Sequence, residues 1–121
     1  MKSLFSIGTD IVEVARVGKL SRQRKFLKRI FTDGEISYCQ SKKNRAQHFA
    51  VRFAAKEAVW KALSVLNING IGHKEIGVQR TVLGQPHVLL SARLKKFEKR
   101  IVLSLSHTKE YAVAVALFEK K

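Results

Sequence analysis

Three short stretches carry side chains that could do chemistry: Gly8-Thr9-Asp10, Arg52-Phe53-Ala54-Ala55-Lys56-Glu57-Ala58-Val59-Trp60-Lys61, and Ser104-Leu105-Ser106-His107-Thr108-Lys109-Glu110-Tyr111. They lie far apart in the chain. In the second, Glu57 and Lys61 are four residues apart, one turn along the same face of a helix. Such a pair can be a surface ion pair contributing about 0.3–0.5 kcal/mol. Beside the small side chains of Ala50, Ala54 and Ala58, it can instead mark a clearing where a ligand approaches the helix closely. A carboxylate and an ammonium there could hold a hard cation and a phosphate oxygen together, an arrangement that suits Mg²⁺: few carboxylates, several waters and the substrate's own phosphates. Asp10 is one of only nine acids and sits in the otherwise apolar stretch from Ile7 to Val12. A carboxylate there must either reach solvent at a strand end or find a cation, because burial without a partner is costly. His107, at the end of a Ser/Leu alternation, reads equally as a turn residue or a site residue. Spacing establishes no Ser/His/Asp or Cys/His nucleophile, and Gly70-Ile71-Gly72 alone is too short to establish a phosphate cradle.

The elements that must position these residues are those of one α+β domain spanning residues 1–121, with helices in the N-terminal half packed on a mainly antiparallel sheet. Residues 3–14 alternate weakly, with Phe5, Ile7, Thr9 and Ile11 on one side, predicting a first strand that ends between Asp10 and Val14. From Val14 to Phe31 no acid occurs while Arg16, Lys19, Arg22, Arg24, Lys25, Lys28 and Arg29 supply seven positive charges on an amphipathic helical segment. Thr32-Asp33-Gly34-Glu35 has the pattern of a capping box and opens a short helix. The next helix is the clearest, running from Arg45 to Leu66 without Gly or Pro. It places Phe49, Phe53, Trp60 and Leu63 in one stripe and should be central. Ile76–Leu83 and His87–Leu90 predict a hairpin turning at Gly84-Gln85-Pro86. Ser91–Lys99 predicts a short polar helix with Leu94 and Phe97 facing in. Ile101–Ser106 and Tyr111–Phe118 complete the sheet, the second apolar on both faces as in an interior strand.

Charge narrows the partners. With 24 Lys and Arg against 9 Asp and Glu, the formal charge is +15, attracting polyanions over a Debye length of roughly 8–10 Å. Nucleic acid, anionic membrane, an acidic protein and a phosphorylated small molecule all fit. The single cysteine, Cys39, excludes an intramolecular disulfide and a CxxC zinc site. That fits a reducing compartment, and with no segment near the ~18–20 apolar residues needed to cross a bilayer the expectation is a soluble, cytoplasmic protein. At this length a chain gains from associating with further copies to complete a core or shape a pocket.

In order along the chain, Gly8-Thr9-Asp10-Ile11, the RFAAKEA run from Arg52 to Ala58, Lys61-Ala62, Gly70-Ile71-Gly72, Gly84-Gln85-Pro86 and the SHTKEYA run from Ser106 to Ala112 resemble the bacterial holo-acyl-carrier-protein synthases. The resemblance spans nearly the whole chain. It implies the 4'-phosphopantetheinyl transferase fold, and transfer of the phosphopantetheine arm of coenzyme A to a serine of an acidic acyl carrier protein, in support of fatty acid biosynthesis. It further implies Asp10 and Glu57 as Mg²⁺ ligands, Lys61 on the pyrophosphate, and His107, Thr108, Gly70 and Gly72 along the coenzyme A site. Arg52 and Arg45 are placed by the same likeness at the nucleotide's 3′-phosphate. The family is a homotrimer with sites at subunit interfaces, so one site would draw on two chains. Arg16, Arg22 and Arg24 become the leading contacts for the carrier, where opposed charge speeds encounter. For the serine proton, Glu57, Asp10 through a metal-bound water, and Glu35 are the candidate bases, with a metal-bound water preferred. A nucleic-acid module remains the alternative from another class, but it leaves Asp10 and Glu57 without a role and lacks an aromatic RNA-binding strand motif. A membrane-surface helix over residues 14–31 is a third reading, set against simple packing of Phe26, Leu27, Ile30 and Phe31 on the domain.

Overall fold

The expected first strand forms as β1, Phe5–Glu13, in a computed structural model that describes residues 3–121. It is followed by four helices, α1 (Val14–Leu20), α2 (Arg24–Ile30), α3 (Asp33–Gln40) and α4 (Arg45–Leu63), then by the hairpin strands β2 (Ile76–Arg80) and β3 (Pro86–Leu90), and finally by β4 (Ile101–His107) and β5 (Tyr111–Glu119). The chain is thus α+β, as its patterning predicts. β5 lies between β1 and β4 in an antiparallel three-stranded sheet, and β2 pairs with β3 separately. β5 is the interior strand its two apolar faces predict: Ala112, Ala114, Ala116 and Phe118 are fully buried.

α4 lies across that buried face, and its position depends on small residues. A Cβ at Gly8 would fall 1.9 Å from the Ala58 carbonyl oxygen and 2.7 Å from the Ala62 nitrogen. Only glycine lets β1 approach α4 so closely. The clearing around Ala54 and Ala58 therefore receives the protein's own sheet rather than a ligand, and Ala54, Ala55, Ala58, Val59, Ala62 and Leu63 are all buried there. This also corrects the expected stripe. Trp60 is 46% exposed and Phe53 only half-buried, because side-chain size counts for less here than proximity of the sheet.

Other boundaries differ for local reasons. The basic segment expected as one helix breaks at Ser21-Arg22-Gln23, where Gln23 takes extended backbone angles. Val14, Val17, Leu27, Ile30 and Phe31 are nevertheless buried, which overturns the membrane-surface reading of residues 14–31. No helix among the described residues is long and apolar enough to cross a membrane. The long helix stops at Leu63, passes through a 3-10 turn at Ser64–Leu66, and ends where Asn67 adopts a left-handed φ of 56°. Ala92–Arg100 coils as 3-10 helix rather than α, with Leu94 and Phe97 buried as expected. β2 ends at Arg80, three residues early, because Thr81 N–H donates to the Gln85 carbonyl at 2.8 Å and starts the turn.

Inside this frame lies a charge pair that no periodicity announces. The capping box forms as expected: Thr32 Oγ1 accepts from Glu35 N–H at 3.2 Å, and Glu35 Oε1 accepts from Thr32 N–H at 2.9 Å. Glu35 also reaches Lys56 Nζ at 2.6 Å and accepts from Val78 N–H at 2.8 Å. The ammonium of Lys56, with no exposed surface, donates in addition to the carbonyls of His73 and Ile76 at 3.1 and 2.7 Å. One buried pair therefore ties α3, α4, β2 and the loop before β2 together.

Candidate functional site

Asp10 lies opposite Ala114 in the sheet, on the side facing α4, and only 15% of its side chain is exposed. Lys61, on the last turn of α4, donates to Asp10 Oδ1 at 3.2 Å and to the Thr9 carbonyl at 2.9 Å. Asp10 Oδ2 is buried with no hydrogen-bond partner. Burial pushes the Asp10 carboxyl above its ordinary pKa despite Lys61, and the neighbouring Glu57 carboxylate pushes it further. One ammonium does not offset the desolvation of this site.

Glu57 does not turn to Lys61, so the simple surface pair one turn apart on α4 does not form. Glu57 Oε2 instead meets His73 Nε2 at 2.9 Å. The sequence offers no signal for this contact: His73 is a lone histidine in a loop, sixteen residues downstream. What results is two neighbouring carboxylates, Glu57 adding to the cost of ionising Asp10, whose second oxygen is unpartnered. Such a set fits a small hard cation, and among the described residues no group of three or more His, Cys, Asp or Glu gathers to enclose one. The remaining oxygens would have to come from water and phosphate, as Mg²⁺ prefers.

The other expected site residues are placed elsewhere. His107, exposed at the end of β4, borders a cavity of about 50 Å³ with His48, Val51, Arg52 and Arg80. Arg52 and Lys61 are nine residues apart on α4, about 13 Å along its axis, so this cavity sits toward the other end of the helix. Thr108 is a turn residue whose hydroxyl accepts from the N–H groups of Glu110 and Tyr111 at 3.1 and 3.0 Å. Arg52, expected on a phosphate-binding surface, is 4% exposed, donates to the His48 carbonyl at 3.3 Å and lies over the Tyr38 ring at 4.5 Å. Arg45 joins Arg22, Arg24 and Lys19 around an open groove of about 1000 Å³ floored by Leu27 and Phe49, with Arg16 exposed on the adjoining α1.

One further expectation is corrected by burial and hydrogen bonding. Glu35 is 3% exposed with both oxygens engaged, so it is not a base for an incoming hydroxyl. Among the carboxylate candidates, Asp10 and Glu57 remain. In the Gly70-Ile71-Gly72 loop, Gly72 N–H donates to Glu75 Oε2 at 3.0 Å, and Arg93 donates to the Gly70 carbonyl at 3.0 Å and to Glu75 Oε1 at 2.7 Å. Gly70 supplies the φ of +65° that this turn needs.

Arg93 first, then Gly72 N–H and Ser91, hold the Glu75 carboxyl down to about 2. A folded-state pKa below the unfolded value means that the loop contact stabilises fully above the ordinary carboxylate range and is lost as pH falls toward 2. We expect a proton titration of the Gly72 amide shift to have its midpoint near 2. A midpoint in the ordinary carboxylate range would refute the pairing.

Comparison with known proteins agrees with this geometry. Residues 6–116 match the family model of the 4'-phosphopantetheinyl transferase superfamily. The chain is 41% identical to the holo-[acyl-carrier-protein] synthase of Geobacter sp. (strain M21), covering 97% of this chain and 99% of that one. It is 45% identical to the enzyme of the same name from Chlamydia trachomatis serovar L2, covering 96% and 100%. Among solved structures, the holo-[acyl-carrier-protein] synthase of Neisseria meningitidis superposes with a TM-score of 0.82 at 31% identity, covering 95% of this chain and 98% of that one. The Bacillus anthracis synthase in complex with CoA (3',5'-ADP) gives 0.78 at 32% identity, covering 96% of each.

Proposed function

This chain belongs to the 4'-phosphopantetheinyl transferase superfamily, among the holo-[acyl-carrier-protein] synthases, and we propose that Asp10, Glu57 and Lys61 form its reaction centre. It moves the 4'-phosphopantetheine arm of coenzyme A to a serine of apo acyl carrier protein, in the service of fatty acid biosynthesis. The serine oxygen bonds to the phosphorus that carries pantetheine, the bond from that phosphorus to the bridging oxygen breaks, and adenosine 3',5'-bisphosphate leaves. The observation that carries the assignment is the buried, unpartnered Oδ2 of Asp10 beside the Glu57 carboxylate.

Asp10 and Glu57 would hold Mg²⁺, which when bound supplies Lewis-acid stabilisation of charge on the diphosphate oxygens. Lys61 uses two of its three N–H groups on Asp10 and Thr9, leaving the third to meet a phosphate oxygen at the same place. Its charge is fixed before the reaction begins, so little reorganisation is needed as negative charge develops. The groove lined by Arg22, Arg24 and Arg45, with Arg16 beside it, is where an acidic carrier would dock. The deciding experiment is incubation with coenzyme A, apo carrier protein and Mg²⁺ or a chelator, followed by the mass of the carrier. A gain of one phosphopantetheine with the metal only is expected; gain in the chelator arm removes the metal reading.

The sheet supports a reading of the assembly. Its face away from α4 is largely apolar and open, with rows Ile7–Leu117–Val102, Thr9–Val115–Ser104 and Ile11–Val113–Ser106 set by strand register. Ile7, Ile11 and Val102 are each more than 60% exposed, a continuous patch of the kind that soluble proteins cover by association. A homotrimer closed through this face, working in the cytoplasm, would cover that patch. The double variant Ile7→Asp, Val115→Asp is expected to sediment as a monomer, where the unaltered chain sediments as a trimer. An unchanged mass would put the interface elsewhere.

A further inference from the structure

We propose that His73 is a positioning residue for Glu57, holding one carboxylate oxygen so that the other is presented to the cation shared with Asp10; this rests on the reading of Glu57 as a metal ligand. The contact is short and directional, His73 Nε2 to Glu57 Oε2 at 2.9 Å. An ionised carboxylate only accepts, so the Nε2 of His73 carries the proton and donates it. Among the described residues the Glu57 side chain has no other hydrogen bond, and Oε1 remains for the ion.

The histidine is itself held firmly. Its ring stacks on Phe53 with centroids 5.7 Å apart and planes 10° from parallel. Its backbone carbonyl accepts from the buried Lys56 ammonium at 3.1 Å. The residue before it is fixed by the bond from Gly72 N–H to Glu75. Phe53, Lys56 and Glu57 lie within five residues of one helix, so the same stretch of α4 supplies the ligand, the platform for the ring and the anchor for its backbone. A side chain restrained this way fixes the rotamer of Glu57 in advance, and losing hydrogen bonds to metal-ligating groups typically weakens metal binding 10- to 100-fold.

The test uses Mn²⁺ alone as the probe, followed by electron paramagnetic resonance on the full protein without coenzyme A or carrier, in the unaltered chain, H73A, H73Q and E57Q. H73A is expected to raise the Mn²⁺ dissociation constant by about 10- to 100-fold, and H73Q, whose amide can still donate to Glu57, to recover most of the affinity. Thermal midpoints recorded alongside separate this from a folding role. A lowered midpoint with unchanged Mn²⁺ affinity in H73A, or an H73Q as weak as H73A, overturns the proposal, the latter because the ring's packing rather than its hydrogen bond would then matter. If E57Q alone leaves Mn²⁺ binding intact, Glu57 is not a ligand and the role of His73 falls with it. If E57Q loses binding and H73A does not, only the role of His73 falls.

Discussion

Glu57→Gln is expected to lower the rate of phosphopantetheine transfer by on the order of a thousandfold while leaving the fold in place. The change removes a charge and almost nothing else. The side chain is partly exposed and makes one hydrogen bond, which a glutamine oxygen can accept from His73 at the same reach. No core contact is lost, and surface changes of this kind fall within about 0.5 kcal/mol. The loss should therefore appear in turnover and in the concentration of Mg²⁺ required, but not in the melting curve. Turnover within tenfold of the unaltered enzyme at saturating Mg²⁺ would remove Glu57 from the reaction centre.

Asp10 gives the same argument from the opposite side. A carboxylate whose pKa is raised by burial is held in its charged form at a cost to stability, since the unfolded chain ionises it more readily. Lys61 reduces that cost without cancelling it. A fold keeps such a group where something absent from the free protein completes its surroundings, and a divalent cation with the substrate's phosphates is the group that its oxygen donors fit.

These two acids were legible in the sequence because each broke a local pattern: an acid inside an apolar strand, and an acid in a sector of alanines. The α+β order, the capping box at Thr32 and the interior character of β5 were legible for the same reason, since each is written in neighbouring residues. What was not legible depends on contacts between distant segments. The alanines of α4 looked like an opening for a ligand, and only the close approach of β1 at Gly8 shows what fills it. Arg52 read as a surface charge and Glu35 as a candidate base because nothing in their neighbours shows that Tyr38 covers one and Lys56 neutralises the other. His73 carries no periodic signature, and its pairing with Glu57 exists only once the loop after α4 folds back. The split at Ser21 is of the same kind: the amphipathic pattern runs through it, and the two short helices separate to bury Val17 and Leu27 in one cluster.

Lys56→Met is expected to cost the fold about 3–5 kcal/mol, because it leaves the Glu35 carboxylate buried without its counter-ion. Methionine fills similar space, so the loss is electrostatic rather than a cavity. Glu35 would keep its bonds from Thr32 and Val78 N–H, which limits the damage but does not replace a charge at 2.6 Å. The carbonyls of His73 and Ile76 lose their donor in the same change. For a chain of this size the melting temperature should fall by on the order of 10–20 °C, a large part of the stability that a domain ordinarily has. Glu35→Gln should fall into the same range from the other direction, stranding the ammonium in a core where burial already lowers the pKa of Lys56 against the opposing pull of Glu35. Melting curves of the two single variants decide the matter, and a shift below about 3 °C in both would mean that the pair contributes little beyond packing. Measured below its melting point, Lys56→Met should also bind Mn²⁺ more weakly than the unaltered chain, since the segment that carries His73 to Glu57 is anchored by the ammonium it removes.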